Sequence, residues 1–174
     1  MRALTRRSEK KIVSTAATIS HVHGRGGRPT ARDRIVMSQS EWMSECPADF
    51  RDAVFRACQL RHFAAGEVLY RYGDPAGAIF GIVAGAVQIA VPADDGQETV
   101  IHRDEQGFWL GDLAMLSDRT RLVTVTASEP VRALCLPAAR VVEMVEATPA
   151  FFQPFYALPM PTYAPRCGSS PTSP

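Results

Sequence analysis

Hydrophobic residues follow two kinds of pattern along this chain. Between residues 62 and 136, apolar and polar positions alternate in short runs that are broken by glycine, proline and aspartate, as in half-buried strands. On both sides of this region, apolar residues recur every three or four positions, which predicts amphipathic helices. The pattern therefore predicts a mainly β domain with helices at both ends.

The alternating region predicts an eight-stranded jelly roll, a double-stranded β-helix also described as a β-roll. Asp94 to Gln97 has the composition of a hairpin turn. Gly85 lies where two strands meet, and we expect it to adopt a backbone conformation that other residues avoid. The main predicted strands are 67–71, 78–83, 86–91, 98–103, 121–127 and 131–136.

Two flanking helices follow from the helical spacing. Residues Pro47, Ala48 and Asp49 have the composition of a helix start and mark the beginning of the first helix. Its apolar stripe consists of Phe50, Val54, Phe55 and Cys58. The second runs from Ala138 to Ala147, with Val141, Val142, Met144 and Val145 predicted to face inward. An aromatic-rich turn follows, containing Phe151, Phe152, Phe155 and Tyr156. We interpret both apolar stripes as core.

Residues 107–127 carry the candidate chemistry. A sharp turn at Gly111 followed by a helix start would leave the peptide N–H groups of Gly111, Asp112 and Leu113 unpaired and pointing the same way, which is the outline of an anion site. Arg121 could return along the next strand and hold a phosphate through paired charge-assisted bonds. Asp112 could then accept from a sugar hydroxyl. The simpler interpretation makes Gly111 a turn, Asp112 an N-cap and Arg121 a surface charge.

The same stretch resembles the phosphate-binding cassette of the cyclic nucleotide-binding domain superfamily, and in particular that of Crp/Fnr-type transcription regulators. The resemblance extends over about residues 55 to 157. Its other matches are Phe63, Gly66, Glu67, Val68, Gly73, Asp74, Ile79, Ile82, Gly85, Val87 and Gly96. It implies a ligand-sensing β-roll domain, not an enzyme, that belongs to a cytoplasmic homodimer and sets a helix-turn-helix on DNA. Trp109 stands where phenylalanine is usual in this family, and we expect it to pack in the roll.

The resemblance names cAMP or cGMP as ligands and gives the candidate ligand-binding set Gly111, Asp112, Leu113, Arg121 and Leu122. Two of these residues depart from the family pattern. Asp112 stands where glutamate is usual, and Leu122 stands where a small or hydroxylated residue is common, so its bulk should crowd the phosphate pocket. Both departures count against binding of cAMP or cGMP.

The charge is divided unequally along the chain. The whole sequence has a formal net charge of +1, but residues 1–36 carry +7 and residues 37–174 carry −6. We therefore expect residues 1–36 to form a basic disordered arm and residues 37–157 to form the sensor domain. The arm is either a polyanion-binding segment, a solvated tail, or translated sequence upstream of a start at Met37. It lacks the apolar core of a secretory signal, and no segment approaches a membrane span.

Residues 158–174 are expected to form an irregular tail, because they contain five prolines. In the family, a long dimerisation helix and a helix-turn-helix follow this point. The composition of residues 158–174 is compatible with neither element. We interpret the chain as the sensor part of a truncated regulator, with a frameshift as one hypothesis. The alternative is a free-standing module that binds a small ligand without binding DNA.

Other chemistries fit the sequence less well. Cys46, Cys58, Cys135 and Cys167 are too scattered for an iron–sulfur cluster, and reduced thiols are expected. The pair His21 and His23 suggests a cupin-type metal enzyme, but it precedes every predicted strand and lacks partner ligands. His62 and His102 are isolated, so we predict no metal site.

Overall fold

The computed structural model describes residues 26–93, 96–111 and 120–158. The order of elements is three helices, eight strands and two further helices. The helices are α1 (Ala31–Ser38), α2 (Glu41–Glu45), α3 (Ala48–Ala57), α4 (Ala138–Ala147) and α5 (Phe152–Tyr156), with a 3-10 turn at Pro149–Phe151 before α5. The strands are β1 (Gln59–Phe63), β2 (Val68–Tyr70), β3 (Ala78–Ala84), β4 (Val87–Pro92), β5 (Glu98–Asp104), β6 (Trp109–Leu110), β7 (Thr124–Ala127) and β8 (Val131–Pro137).

The strands form two four-stranded sheets, which confirms the predicted jelly roll. One sheet has the order β1-β8-β3-β6 and the other has the order β2-β7-β4-β5, and every pair is antiparallel. The side chains between the sheets fill the interior of the roll, with Phe80, Ile82, Ile89 and Val125 among them. Burial of these apolar side chains provides the main driving force for closing the roll.

The helices cover the outer face of the first sheet. Phe50 and Val54 of α3, Val141 of α4 and Phe155 of α5 form a second core cluster with sheet residues such as Ile79. Alternation along β3 explains how one strand serves both clusters, because Ile79 faces the helices and the next residue, Phe80, faces the roll.

Trp109 packs in this second cluster, under the helices, and not inside the roll as the sequence analysis expected. Successive residues of β6 face opposite sides of the sheet, and it is Leu110 that faces the roll interior. The Trp109 indole lies 5.2 Å from that of Trp42 in an edge-to-face arrangement, and its Nε1 donates to Ser40 Oγ over 3.2 Å.

Gly85 has the backbone conformation that the sequence predicts. Its φ is +88°, and a Cβ at this position would lie 2.3 Å from the carbonyl oxygen of Pro130. Only glycine fits a positive φ and so close an approach of two backbones.

The N-terminal boundary of the domain differs from the prediction. Residues 31–38 form α1, which begins with a capping box between Thr30 and Asp33. Asp33 is fully buried and forms an ion pair with Arg132 of β8, and Met37 is fully buried in the helix-side cluster. Residues 26–36 are therefore part of the folded domain, and the prediction of disorder up to residue 36 is wrong for them; residues 1–25 lie outside the described part of the chain.

Some element boundaries also need correction. The strand expected from residue 121 begins at Thr124, and the sequence did not predict β1, β6, α2 or α5. Val142, expected to face inward, is exposed on α4. Leu158, expected in the tail, is buried in the helix-side cluster.

Candidate functional site: a buried arginine at the mouth of the cassette

Two hydrogen bonds hold the backbone of Arg121 in place. Its N–H donates to the carbonyl oxygen of Asp74 over 2.7 Å, and its own carbonyl oxygen accepts from Gly73 N–H over 2.9 Å. The preceding residue, Thr120, forms an antiparallel bridge with Pro75. The turn between β2 and β3 therefore holds the segment that leads into β7.

The Arg121 side chain is buried, with only 2% of the residue's surface exposed. Nη2 donates to the carbonyl oxygen of Ala78 at the start of β3. The guanidinium carbon lies 4.1 Å from the centre of the Tyr70 ring, which is a close cation–π contact. The arginine side chain therefore points into the roll. The simpler interpretation of the sequence, in which Arg121 is a surface charge at a strand start, is wrong on this point.

Two nitrogens of the guanidinium are left without a hydrogen bond. Nε and Nη1 of Arg121 are buried and have no acceptor among the residues described here. Across residues 26–93, 96–111 and 120–158, no carboxylate oxygen pairs with this side chain either. Nε and Nη1 together carry three of the five N–H groups of a guanidinium, so most of its donor capacity is unused.

A buried charge in this state is costly. Removing a cation from water costs several kcal/mol unless an opposite charge or hydrogen bonds compensate. The Ala78 carbonyl and the Tyr70 ring compensate only in part, because one hydrogen bond from the charged guanidinium and one cation–π contact are together worth about 2–5 kcal/mol. An oxoanion that accepts from the free N–H groups would complete the compensation, so the arrangement is suited to binding one.

Gly111 lies close to the same end of β3. It directly follows β6 and has a φ of +157°, and a Cβ added to it would lie 3.1 Å from two side-chain carbons of Ile79. Ile79 is the neighbour of Ala78, which accepts from Arg121. The start of β3 thus lies beside both Gly111 and Arg121, which flank positions 112–120 in the chain.

Three of the five predicted site residues can be placed. Gly111 and Arg121 converge as described, and Leu122 is 65% exposed, so its side chain contributes little to the burial of the guanidinium. Asp112 and Leu113 lie outside the described residues, and their expected roles stay predictions.

The sequence analysis missed Tyr70 and Ala78. Ala78 takes part through its carbonyl oxygen, which no side chain can signal. Tyr70 is one of several aromatic residues at strand positions, and nothing in its spacing distinguishes a ring under a guanidinium from an ordinary core ring.

The three cysteines in the described part of the chain do not form a competing site. Cys46, Cys58 and Cys135 are free and buried. Burial raises the pKa of Cys46 to about 11, although Arg51 acts in the opposite direction, and it also raises the pKa values of Cys58 and Cys135. Thiols with raised pKa values are poor nucleophiles and poor metal ligands at neutral pH. Among the described residues, no cluster of three or more His, Cys, Asp or Glu side chains could hold a metal ion; His21, His23 and Cys167 fall outside this range.

The sequence model of the cyclic nucleotide-binding domain matches residues 60–148, just over half of the 174 residues. The chain belongs to the cyclic nucleotide-binding domain family.

Two curated relatives show how this domain occurs in longer proteins. The acetyltransferase Pat of Mycolicibacterium smegmatis is 43% identical over 77 residues, which cover 43% of this chain and 23% of that protein. The cAMP-dependent protein kinase regulatory subunit of Dictyostelium discoideum is 38% identical over 69 residues, which cover 38% of this chain and 21% of that protein. The chain therefore spans about a fifth to a quarter of the length of these relatives.

Solved structures of the same fold include Crp/Fnr-type regulators. The catabolite activator protein of Thermus thermophilus superposes with a TM-score of 0.61 at 20% identity, covering 68% of this chain and 56% of that one. At this identity the likeness concerns the fold. None of the helices in the described segments is long and apolar enough to cross a membrane.

Proposed function

We propose that this chain is a non-catalytic sensor domain that binds a small anionic ligand, with cAMP and cGMP as the first candidates, through the guanidinium of Arg121. The observation that carries the proposal is the pair of unpartnered donors, Nε and Nη1, on a side chain that is 98% buried in the described structure. A cyclic phosphate offers two exocyclic oxygens, which match the paired N–H geometry of a guanidinium.

The remaining predicted residues complete the proposed site. The peptide N–H groups of Gly111, Asp112 and Leu113 would donate to the same phosphate, and the Asp112 carboxylate would accept from the ribose 2′-hydroxyl. The aspartate is one methylene shorter than the glutamate that is usual in the family. We therefore expect weaker selection for the 2′-hydroxyl, measurable as a small affinity difference between cAMP and 2′-deoxy-cAMP.

Leu122 is compatible with this site. Its side chain is 65% exposed, so it does not occupy the buried space beside the guanidinium. It would instead offer an apolar contact at the rim, where a purine could lie.

Calorimetric titration of the full chain with cAMP and with cGMP tests the proposal. We expect saturable binding of at least one nucleotide, and we expect Arg121→Ala to abolish it. Arg103→Ala is the matched control, because Arg103 is an exposed arginine on β5 and should leave the affinity unchanged. No heat and no thermal shift with either nucleotide would contradict the choice of ligand.

We further propose that the domain acts in a Crp/Fnr-type transcription regulator that works as a cytoplasmic homodimer on DNA. The likeness in fold to the Thermus thermophilus protein and the resemblance of the cassette support this proposal. An electrophoretic mobility shift of the full chain with DNA from the region upstream of its gene tests it, with and without nucleotide. If nucleotide binds but no DNA shifts in either state, the chain is a free-standing ligand-binding module and the regulator proposal fails.

A further inference from the structure

We infer that Tyr70 is the positioning residue of this site: its ring holds the Arg121 guanidinium ready for an anion while leaving the N–H groups free. The inference rests on the proposed function insofar as the anion belongs to a nucleotide. The contact itself belongs to the ligand-free structure, so part of the test needs no ligand.

The Tyr70 ring lies between the guanidinium and the core of the roll. Arg121 Cζ is 4.1 Å from the centre of the Tyr70 ring. Tyr70 in turn stacks on Phe80, with ring centres 5.9 Å apart and planes inclined by 29°, and Phe80 contacts Phe63 edge to face at 6.1 Å. Because the tyrosine is supported by buried rings, it is a rigid platform for the arginine.

A β-bulge accounts for the direction of the tyrosine side chain. In the pairing of β2 with β7, Val68 lies opposite Thr126 and Tyr70 lies opposite Val125, so β2 contains one extra residue. Directly opposed residues share a face of a sheet, and Val125 is fully buried in the roll interior. The bulge therefore places Tyr70 on the interior face, next to Leu69, where regular alternation would have turned it away.

The choice of an aromatic partner has a chemical consequence. A carboxylate beside Arg121 would stabilise the buried charge more strongly, but it would accept from the same N–H groups that an anionic ligand needs. A ring contacts the face of the guanidinium and leaves the in-plane donors free. In the described structure, Ala78 takes one donor of Nη2, while Nε and Nη1 remain available.

Replacement of the ring should weaken recognition of the phosphate specifically. We expect Tyr70→Leu to reduce the affinity for cAMP about fivefold, because a guanidinium without the ring must be ordered when the anion binds, and ordering one flexible side chain corresponds to about 2- to 12-fold in affinity. Tyr70→Phe should bind within about twofold of the wild type, because it keeps the ring. Tyr72→Leu is the matched control, since Tyr72 is 53% exposed two residues along the chain. The affinity for adenosine, which has no phosphate, should not follow this order.

A nuclear magnetic resonance measurement decides the contact without a ligand. The ring current of Tyr70 should shift the Nε–H and Cδ proton signals of Arg121 upfield in the wild type and in Tyr70→Phe, but not in Tyr70→Leu. The spectrum of Arg121→Ala identifies these signals. Ordinary shifts in the wild type would overturn the inference, and so would cAMP affinity that is equal in the wild type and in a folded Tyr70→Leu. If the shifts are found but no nucleotide binds to the wild type, only the choice of nucleotide fails.

Discussion

Arg121 is the residue at which stability and function conflict in this domain. Its guanidinium is buried, two of its nitrogens have no acceptor in the described structure, and no carboxylate there compensates its charge. Such a residue destabilises the ligand-free protein, because buried charges without partners cost free energy that apolar side chains do not. Binding of an anion would return that free energy, which is how a strained site gains affinity.

This conflict predicts that Arg121→Met stabilises the ligand-free protein. Methionine has a similar elongated shape. The substitution removes the desolvated charge, and it also removes the hydrogen bond to Ala78 and the cation–π contact. We expect the free energy of unfolding to rise by about 1–3 kcal/mol, measured by urea denaturation in phosphate-free buffer. A decrease of similar size would mean that the wild-type guanidinium is well compensated, which would remove the main argument for an empty anion site.

Two glycines of similar backbone conformation allow the cost of a positive φ to be distinguished from the cost of a steric clash. Gly66 and Gly85 have φ values of +81° and +88°, but a Cβ would meet nothing within 4 Å at Gly66 and would lie 2.3 Å from Pro130 O at Gly85. Gly66→Ala should cost about 1–2 kcal/mol for the backbone conformation alone. Gly85→Ala should cost at least about 3 kcal/mol, because the strands must also move apart.

Equilibrium denaturation of the two glycine variants measures this difference. Equal costs would show that the backbones beside Gly85 can separate freely, contrary to the close approach seen here.

At the scale of the element, α1 is one of the parts that the sequence pattern failed to reveal. In its sequence, ARDRIVMS, the large apolar residues Ile35, Val36 and Met37 are consecutive, so the helical period that identifies α3 is absent. The helix is specified instead by its capping box between Thr30 and Asp33 and by one ion pair between the buried Asp33 and the partly exposed Arg132. The capping box could have been recognised as a helix start. The ion pair spans 99 positions, and no local rule predicts it.

The elements that were predicted correctly have strong local signals. The apolar stripe of α3 and the alternating runs of β3, β4 and β8 each bury a large face, so the pattern fixes their type. Short elements such as β6 have only two residues and owe their assignment to pairing with β3. In the site, the cassette indicated Arg121, whereas Tyr70 depends on a bulge that shows itself only once β2 and β7 are paired.

The Asp33 ion pair predicts how α1 responds to pH. Although burial raises the pKa of this carboxyl, hydrogen bonds from Thr30 and the charge of Arg132 outweigh it and hold the pKa below the ordinary value. A lowered pKa in the folded state means that the contribution to stability is complete above the unfolded-state pKa, about 4, and is lost as the pH falls through the folded-state value.

Asp33→Asn should therefore cost about 1–3 kcal/mol at pH 7, a range that allows for the partial exposure of Arg132. It should also flatten the loss of stability between about pH 5 and pH 3. Urea denaturation as a function of pH measures both effects. Glu143→Gln is the control, because Glu143 forms an exposed ion pair with Arg140 on α4 and should change stability by less than about 0.5 kcal/mol. An equally steep acid limb in Asp33→Asn and in the wild type would contradict the assigned role of this ion pair.

At the scale of the whole molecule, the fold provides a rigid frame around a loosely compensated charge. One core lies inside the roll and a second lies under the helices, and β3 contributes to both. The start of β3 also contacts the residues on both sides of the cassette. Ala78 contacts Arg121, and Ile79 contacts Gly111. An anion bound at Arg121 would therefore be linked to the helix-side core through a single strand.

A comparison of cAMP with adenosine by calorimetric titration tests the claim that Arg121 binds the phosphate of the ligand. Both ligands are titrated into the wild type and into Arg121→Ala. We expect the substitution to weaken cAMP binding at least about 100-fold, since it removes two or more charge-assisted hydrogen bonds of about 1.5–3 kcal/mol each, and to leave adenosine binding unchanged. Equal losses for both ligands, or no loss for cAMP, would contradict the claim.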